Sequence, residues 1–423
     1  MKKFLKKFVL WNLKRMAKRR LKSFSGKTIV VTGSVGKTST KDAIFTVLNS
    51  KYRVMRNRSS MNSEFGLLLT ILNIPSGYSS AIKWSWLLFM AFLHSFSKIH
   101  SDYLLFELGI DKPGDMDYLL SVVKPDITVF TSVAPVHMGE GQFSTLEAIY
   151  HEKKKTVDAL GDDGVAILNI DNEFVADLAK ETKKKVITYG SATDADYKFT
   201  GMEESLEGIK FNLTKDGSFR PVECGVVGEY HAYVLLPAII CGELLGVDLE
   251  EAIEAVKRYK TPPGRMSVIP AVKGATVLDS SYNSSPEAVK EALKTLERLA
   301  GGRRKVAVLG NMNELGQYSQ ILHERVGMIV PKYADLLLTV GSDAKFIGTA
   351  AVENGFDEKK VHNFRGAKDA AEFFEKEIKK DDLILVKGSQ NRVRLERFVK
   401  TIMENPEDAE KLLVRQGKVW SKI

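Results

Sequence analysis

The segment Gly33-Ser34-Val35-Gly36-Lys37-Thr38 constrains the fold of this chain more than any other. An apolar run, Thr28-Ile29-Val30-Val31, precedes it, and a helix-like segment from Ser39 to Leu48 follows. Strand, glycine loop and helix in that order form a phosphate cradle. Loop N–H groups point at phosphate oxygens, and the helix N-terminus adds a favourable dipole. The pattern predicts Lys37 against the terminal phosphates and the Thr38 hydroxyl on Mg²⁺. Gly33, Ser34, Gly36 and Ser39 complete the predicted nucleotide contact. Only two residues separate the glycines, fewer than in the common form of the loop. No Asn-Lys-x-Asp segment accompanies it to read guanine, which favours ATP over GTP.

A chain of 423 residues with 44% hydrophobic and 27% charged residues has room for roughly two or three globular domains. Its two cysteines, Cys224 and Cys241, cannot build a disulfide framework, which predicts an intracellular, cytoplasmic protein. The net charge is +9, but residues 1–22 alone carry ten basic side chains and no acidic one, so the rest of the chain stands at −1. A nucleic-acid surface spread over the whole body is therefore excluded as a reading. Within residues 1–25 the apolar positions fall close to a helical period, giving a basic amphipathic helix. Such a helix suits an anionic membrane surface, or it docks on its own domain with a solvated basic face. Lysines interrupt every apolar run there, unlike a secretory signal. A second apolar stretch, Trp84–Leu93 within residues 84–97, is too short to span a bilayer. It reads as a buried helix, or as one facing a membrane surface or a partner.

Strand-like and helix-like runs alternate along the chain. Strands are expected at Tyr52–Met55, Tyr103–Glu107, Ile127–Thr131 and Ala166–Asn169, and helices around Glu64–Leu72, Met116–Val123 and Leu146–Leu160. This alternation predicts an α/β protein whose central domain, residues 26–262, has a mostly parallel sheet. Residues 196–228 read as an antiparallel extension, followed by helices near Tyr230–Leu245 and Leu249–Tyr259. Thr261-Pro262-Pro263-Gly264 marks a hinge. Beyond it a second βα series, with strands near Ala275–Leu278, Lys305–Leu309, Leu336–Val340 and Leu383–Val386, predicts a Rossmann-like domain over residues 263–423.

Glu107 ends an apolar strand beside the loop, where a carboxylate is well placed for Mg²⁺. His137 lies just past another strand, and Lys153 opens a lysine run, Lys153-Lys154-Lys155, on an expected helix. Taken alone, such a histidine is usually structural and such a run usually a solvated face. The segments TGSVGKTSTK (32–41), SYNSSP (281–286), VLGNMNELG (308–316) and LVKGS (385–389), in this order, resemble the Mur ligase family, most closely its MurF type.

The resemblance implies an ATP-dependent amide ligase of cell-wall precursor synthesis. A carboxylate of a small wall precursor is activated as an acyl phosphate and joined to an amino acid or a dipeptide such as D-Ala-D-Ala. It implies Mg²⁺ on Thr38 and Glu107, a second metal near His137, and a carbamylated Lys153. It implies Asn62, in MNSEFG, near the substrate carboxylate, and Arg265 on the ATP phosphates. Asp279, Tyr282 and Asn283 would line the nucleotide, and Lys387, Ser389 and Arg394 would face the amine substrate. The chain departs from the family pattern at Ser132, usually Asn, and at Ala232 in Gly228-Glu229-Tyr230-His231-Ala232, usually Asn. About 25 residues precede the loop strand, where MurF-type enzymes carry a UDP-binding domain, and residues 77–100 look inserted. Another ligase of the superfamily, of the folylpolyglutamate or amino-acid-polymer kind, and an inactive ATP-binding scaffold are the competing readings.

Overall fold

The computed structural model describes residues 2–57, 61–75, 81–135, 141–390, 393–417 and 420, without the side chains of residues 2–5, 81 and 82. His137 therefore lies outside the described residues. Two sheets organise the chain. The first holds β1 (Lys27–Thr32), β2 (Val54–Arg56), β3 (Tyr103–Glu107), β4 (Ile127–Phe130), β5 (Val165–Asn169), β6 (Lys185–Gly190), β7 (Tyr197–Glu204), β8 (Ile209–Lys215) and β9 (Ser218–Cys224). Their spatial order is β2-β3-β1-β4-β5-β6-β7-β8-β9. Pairing is parallel as far as β7 and antiparallel from β7 to β9.

Why β1 is apolar on both sides follows from its neighbours. Successive side chains of a strand point to opposite faces. Ile29 and Val31 enter one core, and Val30 enters the other. β5 repeats this, with Val165 and Ile167 on the first side and Ala166 and Leu168 on the second.

Helix α1 (Lys2–Leu21) precedes β1, and α2 (Lys37–Leu48) follows the loop. Then come α3 (Glu64–Leu72), α4 (Ala81–His94), α5 (Asp115–Leu120), α6 (Leu146–Asp158), α7 (Glu173–Glu181), α8 (Ala232–Leu244) and α9 (Leu249–Val256). The first core lies under α2, α8 and α9, and the second under α1 and α3 to α7. α1 docks on α3 and α4 through Val9, Leu10, Leu13 and Ala17, and the Arg20 guanidinium donates to Ile71 O at 2.8 Å. Of the two readings of the N-terminal helix, the inner face thus follows the docked one.

The second sheet, in order β10-β11-β15-β12-β13-β14, holds β10 (Ser267–Pro270), β11 (Thr276–Ser280), β12 (Lys305–Gly310), β13 (Leu336–Val340), β14 (Val361–Phe364) and β15 (Leu383–Lys387). Only β10 runs antiparallel to its neighbour. Helices α10 (Pro286–Leu299), α11 (Ser319–Ile329) and α12 (Lys345–Glu353) cover one face. α13 (Ala367–Glu377) and α14 (Glu396–Ile402) cover the other. β10 and β14 went unseen in the sequence, because both are short edge strands with little buried surface to impose a pattern.

Candidate active site

The loop leaves β1 at the middle of the first sheet and is shaped by what lies against it. Gly33 has φ 140°, and a Cβ there would fall 2.0 Å from Thr131 Oγ1, so only glycine fits. Gly36 (φ 82°) turns the chain into α2. The tail of β4 holds the loop in place. Ser34 N donates to Ser132 O at 2.7 Å, Thr131 Oγ1 donates to Val35 O at 2.6 Å, and Ala134 N donates to Ser34 Oγ at 2.9 Å. Thr40 N makes the first α2 turn, to Gly36 O at 2.9 Å, so the amides of Lys37, Thr38 and Ser39 head the helix. Lys37 Nζ curls back over the loop to Gly33 O (2.8 Å) and Ser34 O (3.2 Å).

Glu107, buried at the end of β3, meets this loop from the neighbouring strand. The Thr38 hydroxyl donates to its Oε2 at 2.8 Å, and Asn62 Nδ2 donates to its Oε1 at 3.0 Å. Asn57 clamps its backbone, accepting from Glu107 N at 2.9 Å and donating to Glu107 O at 3.0 Å. Lys41, fully buried one helical turn after Lys37, donates to Asn57 O at 2.9 Å and lies 3.9 Å from Glu107 Oε2. Sequence reasoning passed over both Lys41 and Asn57. The spacing of Lys37 and Lys41 on one helix face was the available signal for the first; nothing local marked the second.

The three lysines of α6 separate cleanly. Lys154 pairs with Asp158 at 3.0 Å on the surface. Lys155 pairs with Asp117 at 2.6 Å and Glu152 at 2.8 Å. Lys153 is 1% exposed and donates to Gly33 O at 2.8 Å, the same carbonyl that Lys37 uses. Burial, reinforced by the Lys37 charge, holds the Lys153 amine well below the ordinary lysine range. Burial also lowers Lys37 and Lys41, which Glu107 partly offsets.

Arg265, just past the hinge, reaches across to this cluster. Its Nη2 lies 3.4 Å from Thr38 Oγ1, and its guanidinium stacks 4.4 Å from the Tyr282 ring centre. Tyr282 N in turn donates to Gly264 O at 3.1 Å. Behind it, Lys387 donates to Ser280 Oγ and Asn283 O, both at 3.1 Å. Burial and then Arg265 bring the Lys387 amine down to about 8. Burial pushes the Asp279 carboxyl up to about 6, while its Oδ1 accepts from Ser281 N at 3.0 Å. Ser389 Oγ accepts from Asn313 N at 2.9 Å and donates to Ser284 O at 3.2 Å. Arg394 is turned inward: it pairs with buried Glu396, which also holds Arg415 at 2.9 Å. The Arg394 guanidinium is thus held within the protein. Neither Glu396 nor Arg415 carried any signal in the sequence.

At the turn before α8, His231 is buried with its Nδ1 3.2 Å from Gly228 O, and burial lowers it to about 4. It is a neutral, stacked group, 4.4 Å from the Tyr230 ring centre. Among the described residues no cluster of three His, Cys, Asp or Glu side chains is placed to hold a metal ion. The hard oxygens of Thr38 and Glu107, beside a helix N-terminus, are the donor set that suits Mg²⁺ next to a phosphate.

Fold and site together define a nucleotide-dependent P-loop enzyme with a second α/β unit whose linker arginine touches the loop. Residues 31–242 match the Mur ligase middle domain, and residues 264–390 match the Mur ligase glutamate ligase domain. The UDP-N-acetylmuramoyl-tripeptide–D-alanyl-D-alanine ligase of Bacillus subtilis (strain 168) is 30% identical over 397 residues, 93% of this chain and 79% of that one. The crystal structure of MurF ligase from Thermotoga maritima in complex with ADP is similar with a TM-score of 0.75 and 25% identity, over 95% of this chain and 84% of that one. MurF from Acinetobacter baumannii shares the fold, with a TM-score of 0.77 at 23% identity over 93% and 80% of the two chains. The chain belongs to the Mur ligase family. It is an ATP-dependent, ADP-forming ligase by class.

Proposed function

We propose that this protein joins a carboxylate of a muramoyl-tripeptide wall precursor to the amine of D-alanyl-D-alanine in the cytoplasm. ATP supplies the phosphoryl group that makes the carboxylate reactive, and a Mg²⁺ held at Thr38 and Glu107 would neutralise charge on it. Lys37 and the amides heading α2 bind the phosphate oxygens. Thr38 and Glu107 would hold the metal, with Asn62 and Lys41 beside the Glu107 carboxylate and Asn57 fixing its backbone. Asn62 also borders the acceptor carboxylate. A second metal would rest on His137 and Lys153. As a free amine Lys153 would repel a cation; as a carbamate it offers anionic oxygens. Its burial favours the neutral amine, which is the form that adds CO₂.

Arg265 binds the phosphates and places the second unit over the site, excluding the water that would hydrolyse an acyl phosphate. Asp279, Tyr282 and Asn283 line the nucleotide side. Lys387 and Ser389 border the amine substrate. Arg394 shapes that pocket through its ion pair with Glu396.

The observation that carries this reading is the meeting of loop, β3 end and linker at Thr38, whose hydroxyl lies 2.8 Å from Glu107 and 3.4 Å from Arg265. The test is ADP release measured with muramoyl-tripeptide plus D-Ala-D-Ala, and separately with a folate plus glutamate. Release with the first pair and a product mass equal to the new amide supports the reading. Release only with the second, or none with either, rejects it.

A further inference from the structure

The outer faces of α1 and α4 form one surface that the ligase chemistry does not use. On α4, Leu87 and Ala91 turn inward, while Trp86, Phe89, Leu93 and Phe96 follow one stripe of the helix and its C-terminal turn and are 48–62% exposed. On α1, Phe8 and Trp11 are more than half exposed on the side opposite the docked Leu13 and Ala17. The two faces are joined. Arg19 of α1 stacks 4.7 Å from the ring centre of Phe96, past the end of α4, while within α1 Arg15 stacks 4.6 Å from Trp11. Large aromatic side chains rarely stand exposed in a contiguous row without a partner.

The charge around this row identifies the partner. Residues 1–41 contain no acidic residue, and neither do residues 65–101. Lys6, Lys7, Arg15, Lys18 and Arg19 are exposed along α1, and Lys22 just past it. A second copy of this chain set face to face would place these like charges together. No helix among the described residues is long and apolar enough to cross a membrane, which leaves a peripheral contact as the kind to consider. Exposed Trp and Phe flanked by Lys and Arg is the composition that partitions into the headgroup region of an anionic bilayer.

We propose that the α1–α4 face docks this protein on an anionic lipid surface, with Trp11, Trp86, Phe89 and Phe96 inserted among the headgroups and the α1 cations on the lipid phosphates.

The test uses the full chain with vesicles of phosphatidylglycerol mixed with phosphatidylcholine, and with phosphatidylcholine alone. Wild type should co-sediment with the anionic vesicles, lose that binding as salt rises, and bind the neutral ones about tenfold or more weakly. Its tryptophan emission should shift to the blue on binding. Trp86→Ser/Phe89→Ser/Phe96→Ser should lose binding to both vesicle types. Arg15→Gln/Lys18→Gln/Arg19→Gln should lose about tenfold to hundredfold on the anionic vesicles only. Circular dichroism and thermal melting of each variant report that it folds; the single change Trp86→Ser, with a smaller loss, serves if the triple variant does not. Failure of wild type to bind anionic vesicles overturns the proposal. So does wild-type binding by a folded aromatic variant. A concentration-dependent dimer that the aromatic changes abolish, without vesicle binding, would assign the face to a second copy instead.

Discussion

The strand ends of the two sheets handle buried charge in opposite ways. Around the glycine loop, Lys37, Lys41 and Lys153 donate to backbone carbonyls, Arg265 reaches the Thr38 hydroxyl, and Glu107 is the buried carboxylate among them. Burial, only partly offset by the nearby carboxylates, lowers the proton affinity of these lysines. At the equivalent edge of the second sheet, Glu396 takes both Arg394 and Arg415, and those charges are closed among themselves. The first arrangement is poised for an anionic ligand, and the second ties α14 to the chain's C-terminal segment. A cluster of buried cations is therefore not one kind of feature: its meaning depends on whether the protein supplies the counter-charge.

Substitutions should separate the two regions. Lys37→Ala removes the loop's own cation and is expected to lower ATP turnover by about 10³-fold with little change in melting temperature. Wild-type turnover by this variant would break the comparison at its root. Glu396→Gln should act the other way. It leaves two buried guanidinium groups unpaired and should destabilise the protein by about 3–5 kcal/mol in denaturant titration.

Lys153→Ala should lower turnover about 10²-fold. With ¹³C-bicarbonate, a carbamate carbon signal should be present in wild type and in Lys154→Ala, and absent in Lys153→Ala. A signal that survives in Lys153→Ala would reassign the modified residue.

A subtler contrast concerns Asp279, whose carboxyl is raised to about 6 by burial. The folded protein then binds more protons than the unfolded chain between about pH 4 and 6. The group's favourable contribution is complete at the acid end of that window and is lost as pH rises through about 6. Asp279→Asn, which keeps the acceptor for Ser281 N, should therefore stabilise the protein at pH 8 by about 1–3 kcal/mol and flatten the stability profile across that window. Smallest of all, Lys154→Ala removes only a surface pair with Asp158 and should change stability by less than about 0.5 kcal/mol.

Some elements were readable from their residues alone. The loop, β3 and α3 announce themselves through glycines, an unbroken apolar run and helical spacing, and the last two have the expected limits, Tyr103–Glu107 and Glu64–Leu72. β2 was expected from Tyr52, but it begins at Val54 because the Tyr52 amide still bonds back to Leu48 O at 2.9 Å, at the end of α2. β6 starts beside Lys183 and Lys184 and is half-buried, so neither composition nor alternation marked it.

What the sequence by itself determined is the alternation of buried strands with helices, the phosphate-binding loop and the family, because these rest on local periodicity and short contiguous motifs. Only the tertiary structure decided which of three adjacent lysines faces Gly33 O, that Lys41 and Asn57 hold Glu107, and that Arg394 is taken up by Glu396. It also decided that two aromatic-basic helices far apart in sequence share one face. Each of these is a matter of distance between residues on different elements. Local pattern constrains how a segment folds, but packing decides which side chains end within about 3 Å of one another.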